Sequence, residues 1–121
     1  MTYYLRSYDG WPELESPISC TIERKVTASN GRRSVVVTPD DTADLAGDYW
    51  EIGRKIVLFE RSVNCSIFET NDEPIRVYIC IPKNDASIEE GFDPKDVLSV
   101  AYGIFGSNFD RVKEWPKDSV F

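Results

Sequence analysis

This chain of 121 residues includes no histidine. The side chains that could carry chemistry are therefore its carboxylates, lysines, tyrosines and three cysteines. Without histidine the chain lacks the usual general base near neutral pH, the Ser-His-Asp and Cys-His arrangements, and zinc sites that use imidazole. An enzyme of this composition would have to work with carboxylates, lysine, tyrosine or a bound metal. We therefore expect no enzymatic activity, no cofactor and no metal site.

The candidates for paired acid–base work are Glu89, Glu90, Asp93 and Asp96. Such a pair needs two carboxyl groups at working distance in a desolvated pocket, which spacing alone does not provide. Asp93 and Asp96 also fit a helix start, with Asp93 as the N-cap, Pro94 at the first helical position and Asp96 in the first turn. We assign no catalytic residue.

Five acids and no base lie between residues 39 and 53, and here we place the candidate partner-binding surface. At helical spacing these carboxylates fall largely along one side, with aromatic rings among them, a composition common at protein interfaces. The candidate residues are Asp40, Asp41, Asp44, Asp48, Trp50 and Glu51. The alternative is a solvated acidic rim on a helix whose Tyr49 packs into the core. An EF-hand calcium loop is disfavoured, because Leu45 occupies the sixth position, which requires glycine.

The net charge of −7 is unevenly distributed: +1 in residues 1–38, −5 in 39–53 and −5 from Glu69 to the end. This balance disfavours nucleic acid and anionic membranes and favours rapid encounter with a basic partner. Acidity that only keeps the protein soluble is the alternative. The basic group Arg24, Lys25, Arg32 and Arg33 is too small to indicate nucleic-acid binding on a chain this acidic.

The cysteines decide whether an oxidising compartment has to be considered. Spacings of 45 and 15 residues with no C-x-x-C give no zinc pattern. Cys65 and Cys80 flank an expected hairpin, but opposing them directly would place polar Asn64 and Ser66 on its apolar face. A register that keeps the apolar residues together puts Cys80 on the other face, beside Tyr78 and Arg76. We expect free thiols, with Cys20 and Cys65 packed as small hydrophobic side chains.

Length and hydropathy indicate one globular domain, residues 1–121, in the cytoplasm. The longest apolar run is Ile56 to Phe59, too short to cross a bilayer, and the N-terminus has no secretory pattern.

Alternating residues predict strands over Tyr3–Tyr8, over Ile18–Val37 as a hairpin, and over three later segments: Ile56–Arg61, Val63–Glu69 and Ile75–Ile81. In the hairpin, Asn30-Gly31 predicts a two-residue type I′ turn that places Val26 opposite Val35. Start and stop residues predict helices over Thr38–Gly53, Asp93–Gly106 and Ser107–Pro116.

This order of elements predicts an α+β fold: a mostly antiparallel β-sheet with two or three helices packed on one face. For function we expect a small acidic protein-binding module, an inhibitor or immunity protein that neutralises a basic toxin or nuclease by covering it. The alternatives are a small carboxylate- and tyrosine-based enzyme or ligand-binding domain, and a DNA mimic from a phage or mobile element.

Overall fold

The computed structural model describes residues 2–9, 16–40, 52–61, 73–91 and 96–114, and in this part of the chain six antiparallel strands form a closed barrel. The strands are β1 (Tyr3–Asp9), β2 (Ile18–Thr27), β3 (Arg33–Pro39), β4 (Ile56–Glu60), β5 (Ile75–Pro82) and β6 (Val97–Gly106). Two six-residue helices, α1 (Asp85–Glu90) and α2 (Phe109–Glu114), complete the described elements. Each strand pairs with the next along the chain, and β6 pairs with β1, with Leu5 opposite Phe105.

The expected α+β architecture is wrong, chiefly because a predicted helix is a strand. Apolar residues in Asp93–Gly106 recur at helical spacing, but the same segment also alternates, and β6 follows the alternation. Ala101 and Phe105 face the barrel interior, whereas Ile104 packs on the outside. A Cβ at position 103 would lie 2.4 Å from the Arg6 carbonyl oxygen, so glycine there lets β1 and β6 approach closely enough to close the barrel.

The helix expected over Thr38–Gly53 is also wrong at both of its described ends. β3 continues through Thr38 and Pro39, and Pro39 is tolerated because it is the last residue of the strand. Ile52 is 67% exposed, and Ile56 is the first residue of β4, so neither belongs to a buried helical stripe. Residues 41–51, and the strand predicted over Val63–Glu69, lie outside the described residues.

Apolar side chains from all six strands fill the barrel interior. The largest fully buried ones include Leu5, Ile56, Leu58, Ile79 and Phe105. The Tyr3 ring stacks on that of Phe105 with 5.3 Å between centroids. Burying a side chain of this size contributes roughly 1.5–3 kcal/mol, so the interior is the main source of stability.

The outer surface of the barrel is covered by the helices at two separate places. α1 places Ile88 on an apolar cluster that includes Val36, Val57 and Cys80. α2 places Val112 on a second cluster with Tyr8 and Ile104. The helices therefore do not form one layer on one face of a sheet.

Local capping explains both helices. At α1, which the sequence patterns did not predict, the Asn84 side chain accepts a hydrogen bond from the Ser87 amide at 3.0 Å. α2 confirms the last predicted helix, although Asn108 rather than Ser107 accepts from the Arg111 amide at 3.3 Å. Among the described residues, no helix combines the length and apolar character that crossing a membrane requires.

The β2–β3 hairpin is confirmed, but its turn and register differ from the prediction. Val26 lies opposite Ser34, and the loop has three residues closed by a 2.8 Å bond from the Ala28 amide to the Arg32 carbonyl. Within this loop only Gly31 adopts a positive φ, +85°, which matches a type I turn followed by a left-handed residue. One additional residue in the loop therefore replaces the type I′ turn.

The described cysteines are buried free thiols, as expected. Cys20 lies in the barrel interior, and Cys80 lies on the outer side with Tyr78 while Val77 and Ile79 point inward. The predicted face of Cys80 is confirmed. Cys65 lies outside the described residues.

Ser7 is a buried polar residue of β1, opposite Gly103, and removal of its hydroxyl should stabilise the protein. It is fully buried, and its hydroxyl finds no hydrogen-bond partner among the described residues. Ser7→Ala removes that desolvation cost, so the free energy of unfolding by urea should rise by about 1 kcal/mol. Ser87→Ala is the matched control: the Ser87 hydroxyl donates to the Asn84 carbonyl at 2.8 Å, so its loss should destabilise by a similar amount. A loss of stability on Ser7→Ala as large as that on Ser87→Ala would contradict the assignment.

Stability should fall as pH rises above 9, partly through Cys80. Burial raises the pKa of this thiol from 9.0 to about 12, with nearby Arg32 acting in the opposite direction. Between these values the folded chain holds a proton that the unfolded chain has lost, so the free energy of unfolding declines with pH. Cys80→Val should remove about 2 kcal/mol of the decline between about pH 8 and about pH 10.5. Urea denaturation at both pH values measures this, and equal declines in the two proteins would contradict the buried thiol.

Candidate functional site: an acidic barrel end and an apolar wall

Three connections that are rich in acids begin and finish at one end of the barrel. In a closed antiparallel barrel, successive connections alternate between the two ends, so β1–β2, β3–β4 and β5–β6 are joined at the same end. We call this the acidic end: the end at which residues 10–17, 40–55 and 83–96 begin and finish. These segments contain twelve acids and four bases, a net −8, whereas the rest of the chain has nine acids and ten bases. The acids are Glu13, Glu15, Asp40, Asp41, Asp44, Asp48, Glu51, Asp85, Glu89, Glu90, Asp93 and Asp96.

Asp40 is the member of the predicted partner-binding set that the structure describes. It is exposed, directly follows β3, and its carboxylate accepts hydrogen bonds from Ser19 Oγ at 3.0 Å and Thr21 Oγ1 at 2.6 Å. Its amide also donates to the Ser19 carbonyl at 2.9 Å. Two side-chain donors and one backbone bond therefore fix this carboxylate against β2.

The other predicted members, namely Asp41, Asp44, Asp48, Trp50 and Glu51, lie outside the described residues. Their segment is nevertheless fixed at both ends, because the Gly53 amide donates to the Pro39 carbonyl at 3.2 Å. The chain thus leaves and re-enters the barrel at adjacent points of the acidic end. Burial raises the pKa of the neighbouring Cys20 thiol, and the negative charge of Asp40 raises it further.

Lys55 connects three elements at the acidic end. Its ammonium lies 3.2 Å from an Asp85 carboxylate oxygen and 3.7 Å from one of Glu23. These contacts tie the residue before β4 to α1 and to Glu23 of β2, where the pairing register between β2 and β3 shifts. As partly exposed ion pairs they contribute about 1 kcal/mol or less, so they orient the elements more than they stabilise them.

α1 runs along the outer surface of the barrel, so Glu89 and Glu90 at its end lie away from the acidic end. Glu89 pairs with Arg24, and its carbonyl accepts from the Ser29 amide at 2.9 Å. Gly91, at φ +103°, then packs against the Asn30 side chain so closely that a Cβ would lie 2.0 Å from it. The end of α1 and the hairpin tip are therefore built as one unit.

The acids considered for paired acid–base work are not gathered in a buried site. Glu89 and Glu90 are exposed on α1, with Glu89 in its ion pair; Asp96 is half-buried, and Asp93 lies outside the described residues. Within the described ranges, no three histidine, cysteine or acidic side chains come together as they would around a metal ion.

The basic hairpin group is partly committed to internal contacts. Arg24 pairs with Glu89, and the Arg32 guanidinium lies 5.1 Å from the centre of the Phe59 ring. Lys25 and Arg33 are exposed on the two strands of the hairpin. Two of the four basic side chains therefore contact other parts of the same chain.

Sequence patterns missed a second surface, which we call the β5–β6 wall. It consists of the outward-facing residues Arg76, Tyr78 and Cys80 of β5 and Leu98, Val100 and Tyr102 of β6. Leu98 is 59% exposed and Val100 46% exposed, the latter directly opposite Cys80. The alternation of large residues at 98, 100, 102 and 104 was the available signal, and the helical interpretation concealed it.

Arg61 fixes the aromatic part of the β5–β6 wall. Its guanidinium carbon lies 4.5 Å from the centre of the Tyr102 ring and 5.2 Å from that of Tyr78. The two rings are 5.5 Å apart. A cation shared between two rings restricts both side chains, and rigid Tyr and Arg groups are typical anchors of protein interfaces.

The bonds to Asp40 can be tested by a double-mutant cycle. Asp40→Ala should lower the free energy of unfolding by about 1 kcal/mol, because two donors lose their acceptor. With Thr21→Val as the second change, the coupling should be at least about 0.5 kcal/mol. Chemical denaturation of the four proteins measures it, and strictly additive effects would show that the carboxylate is not held at this position.

Comparison with known proteins found no matching protein-family model, no matching curated protein and no matching solved structure. The two surfaces that remain for a functional proposal are the acidic end and the β5–β6 wall.

Proposed function

We propose that the protein is a non-catalytic binding module of the cytoplasm that covers a basic protein with its acidic end. The partner class that fits is a toxin or nuclease domain with a basic active-site rim, and the protein would act as its inhibitor or immunity protein. The observation that carries the proposal is that three connections, which hold ten acids besides Glu89 and Glu90, begin and finish at one barrel end.

The acidic end suits electrostatic capture. Carboxylates concentrated on one end produce a directed field that accelerates encounter with a basic protein, to association rate constants of up to about 10⁸–10⁹ M⁻¹s⁻¹ at low salt. Asp40 supports this role because its donors on β2 hold it in place before any partner arrives. Binding of the partner would then cost little conformational entropy at this residue.

The filled interior favours a surface function over a small-molecule function. The barrel core is built from apolar side chains of all six strands, with Phe105, Leu5 and Ile79 among the fully buried ones. Ligand sites inside barrels need a cavity with a few convergent polar groups. A module that recognises its partner with surface loops fits a packed core.

The test is a charge reversal at the acidic end with a matched reversal elsewhere. The basic partner is first captured from the source cells on immobilised protein at low salt, then purified and used as the probe. Asp41, Asp44 and Asp48 are changed together to lysine, and in the control so are Asp110, Glu114 and Asp118, which follow β6. Both variants change the net charge from −7 to −1.

Reversal at the acidic end should reduce the association rate constant at low salt by about tenfold or more. The control reversal should reduce it far less, and both differences should shrink as salt screens the field. Stopped-flow fluorescence measures the rates. Equal effects of the two variants would mean that the association rate depends on net charge alone, which would refute the proposed surface.

A further inference from the structure

The tip of the β2–β3 hairpin carries the dipeptide Asn30-Gly31, which the proposed function does not involve. Asparagine followed by glycine deamidates readily, because glycine has no side chain to shield its amide nitrogen from the asparagine side chain. Both residues are exposed, and a Cβ at Gly31 would meet no atom within 4 Å. Solvent water therefore reaches this pair.

In the folded chain the hairpin loop holds both reacting groups in hydrogen bonds. The Gly31 amide donates to the Ala28 carbonyl at 2.8 Å, and the Asn30 side-chain oxygen accepts from the Arg32 amide at 3.0 Å. Deamidation requires the Gly31 nitrogen to lose its proton and to turn toward the Asn30 side chain, so the first of these bonds has to break. The reaction therefore proceeds from a locally opened tip.

Contacts with α1 determine how easily the tip opens. The Ser29 amide and hydroxyl donate to the Glu89 carbonyl at 2.9 and 3.2 Å, and Arg24 pairs with the Glu89 carboxylate. The Asn30 side chain itself packs on the Gly91 backbone, in the space that a Cβ would occupy. Opening of the tip therefore separates it from the carboxyl end of α1.

We propose that Asn30 is a deamidation site, and that contact between the hairpin tip and α1 controls the rate of its modification. In the opened tip the Gly31 nitrogen attacks the side-chain carbonyl carbon of Asn30, and the new C–N bond closes a succinimide ring. The bond from that carbon to Asn30 Nδ2 breaks, and the nitrogen leaves as ammonia. One water molecule then opens the ring at either carbonyl, which leaves aspartate or isoaspartate.

Both products weaken the contact with α1. Deamidation places a carboxylate against Gly91 at the carboxyl end of α1, where negative charge is unfavourable, and adds one negative charge to the net charge of −7. Isoaspartate also inserts one carbon atom into the main chain of the loop, which disrupts the bond from the Ala28 amide to the Arg32 carbonyl. Modification therefore favours a tip that stays apart from α1.

Peptide mapping of the purified full chain tests the proposal. Trypsin cleaves after Lys25 and Arg32 and releases residues 26–32, a peptide whose one asparagine is Asn30. Mass spectrometry measures the fraction in which the side-chain amide has become a carboxylate. In neutral buffer the chain unfolded in guanidinium chloride should deamidate at Asn30, and the folded chain should react at least about tenfold more slowly. In the unfolded chain Gly31→Ala should slow the reaction by about tenfold or more, because a side chain then shields the attacking nitrogen.

Gly91→Ala tests the control by α1. Its Cβ would overlap the Asn30 side chain, so the tip should be displaced and deamidation of the folded chain should accelerate by about fivefold or more. Gly53→Ala is the matched control, because Gly53 also has a positive φ, +76°, but a Cβ there would meet no atom within 4 Å. The control should react at the wild-type rate, and circular dichroism checks that both variants are folded.

A second measurement uses no variant. In wild-type protein that has been deamidated at Asn30, hydrogen exchange of the Ser29 amide should be at least about tenfold faster than in unmodified protein. The Val112 amide, which donates to the Asn108 carbonyl at α2, should keep its protection and serves as the internal reference.

An Asn30 that stays intact in the unfolded chain overturns the proposal. So does a folded chain that deamidates as fast as the unfolded one, a folded Gly91→Ala protein that reacts no faster than wild type, or Ser29 exchange that modification leaves unchanged. None of these results depends on the basic partner, so failure here leaves the proposed function standing.

Discussion

Pairing between the first and last strands is the constraint on which the rest of the structure depends. β1 and β6 meet with Leu5 opposite Phe105 and Ser7 opposite Gly103, and this contact turns a six-stranded meander into a barrel without open edges. Closure needs a close approach of the two backbones, which the missing side chain at Gly103 allows. Once the barrel is closed, the direction of every strand and the end reached by every connection are determined.

The topology also relates the acidic segments of the sequence to one another. Three acidic connections that are far apart in sequence begin and finish at a common end, while the remainder of the chain is close to neutral. Closure has a second consequence for the outer surface of the barrel. Six strands offer more outer surface than two six-residue helices can cover. α1 and α2 cover two clusters, and Leu98 and Val100 of β6 remain exposed.

Sequence patterns predicted the strands well where alternation was unambiguous. β1, β4, β5 and the β2–β3 hairpin lie where expected, and the face of Cys80 followed correctly from keeping Val77, Ile79 and Ile81 together. The failures came from segments compatible with two periods. Residues 97–105 satisfy both a helical stripe and a strand, and only the pairing of β6 with β5 and β1, a long-range property, decides between them. Thr38-Pro39 resembles a helix start locally, yet pairing with β2 extends the strand through it.

The candidate site was predictable in part. The acidic run beginning at Asp40 was visible in the sequence, but its convergence with two other connections required the barrel, and the Arg61–Tyr78–Tyr102 contact joins three strands. The common end of these connections therefore depends on closure of the barrel, which nuclear Overhauser effects between β1 and β6 can test. Cross-strand amide and Hα contacts should join Leu5–Ser7 to Gly103–Phe105. Their absence, with β1 contacts to β2 alone, would contradict the closed barrel and with it the common acidic end.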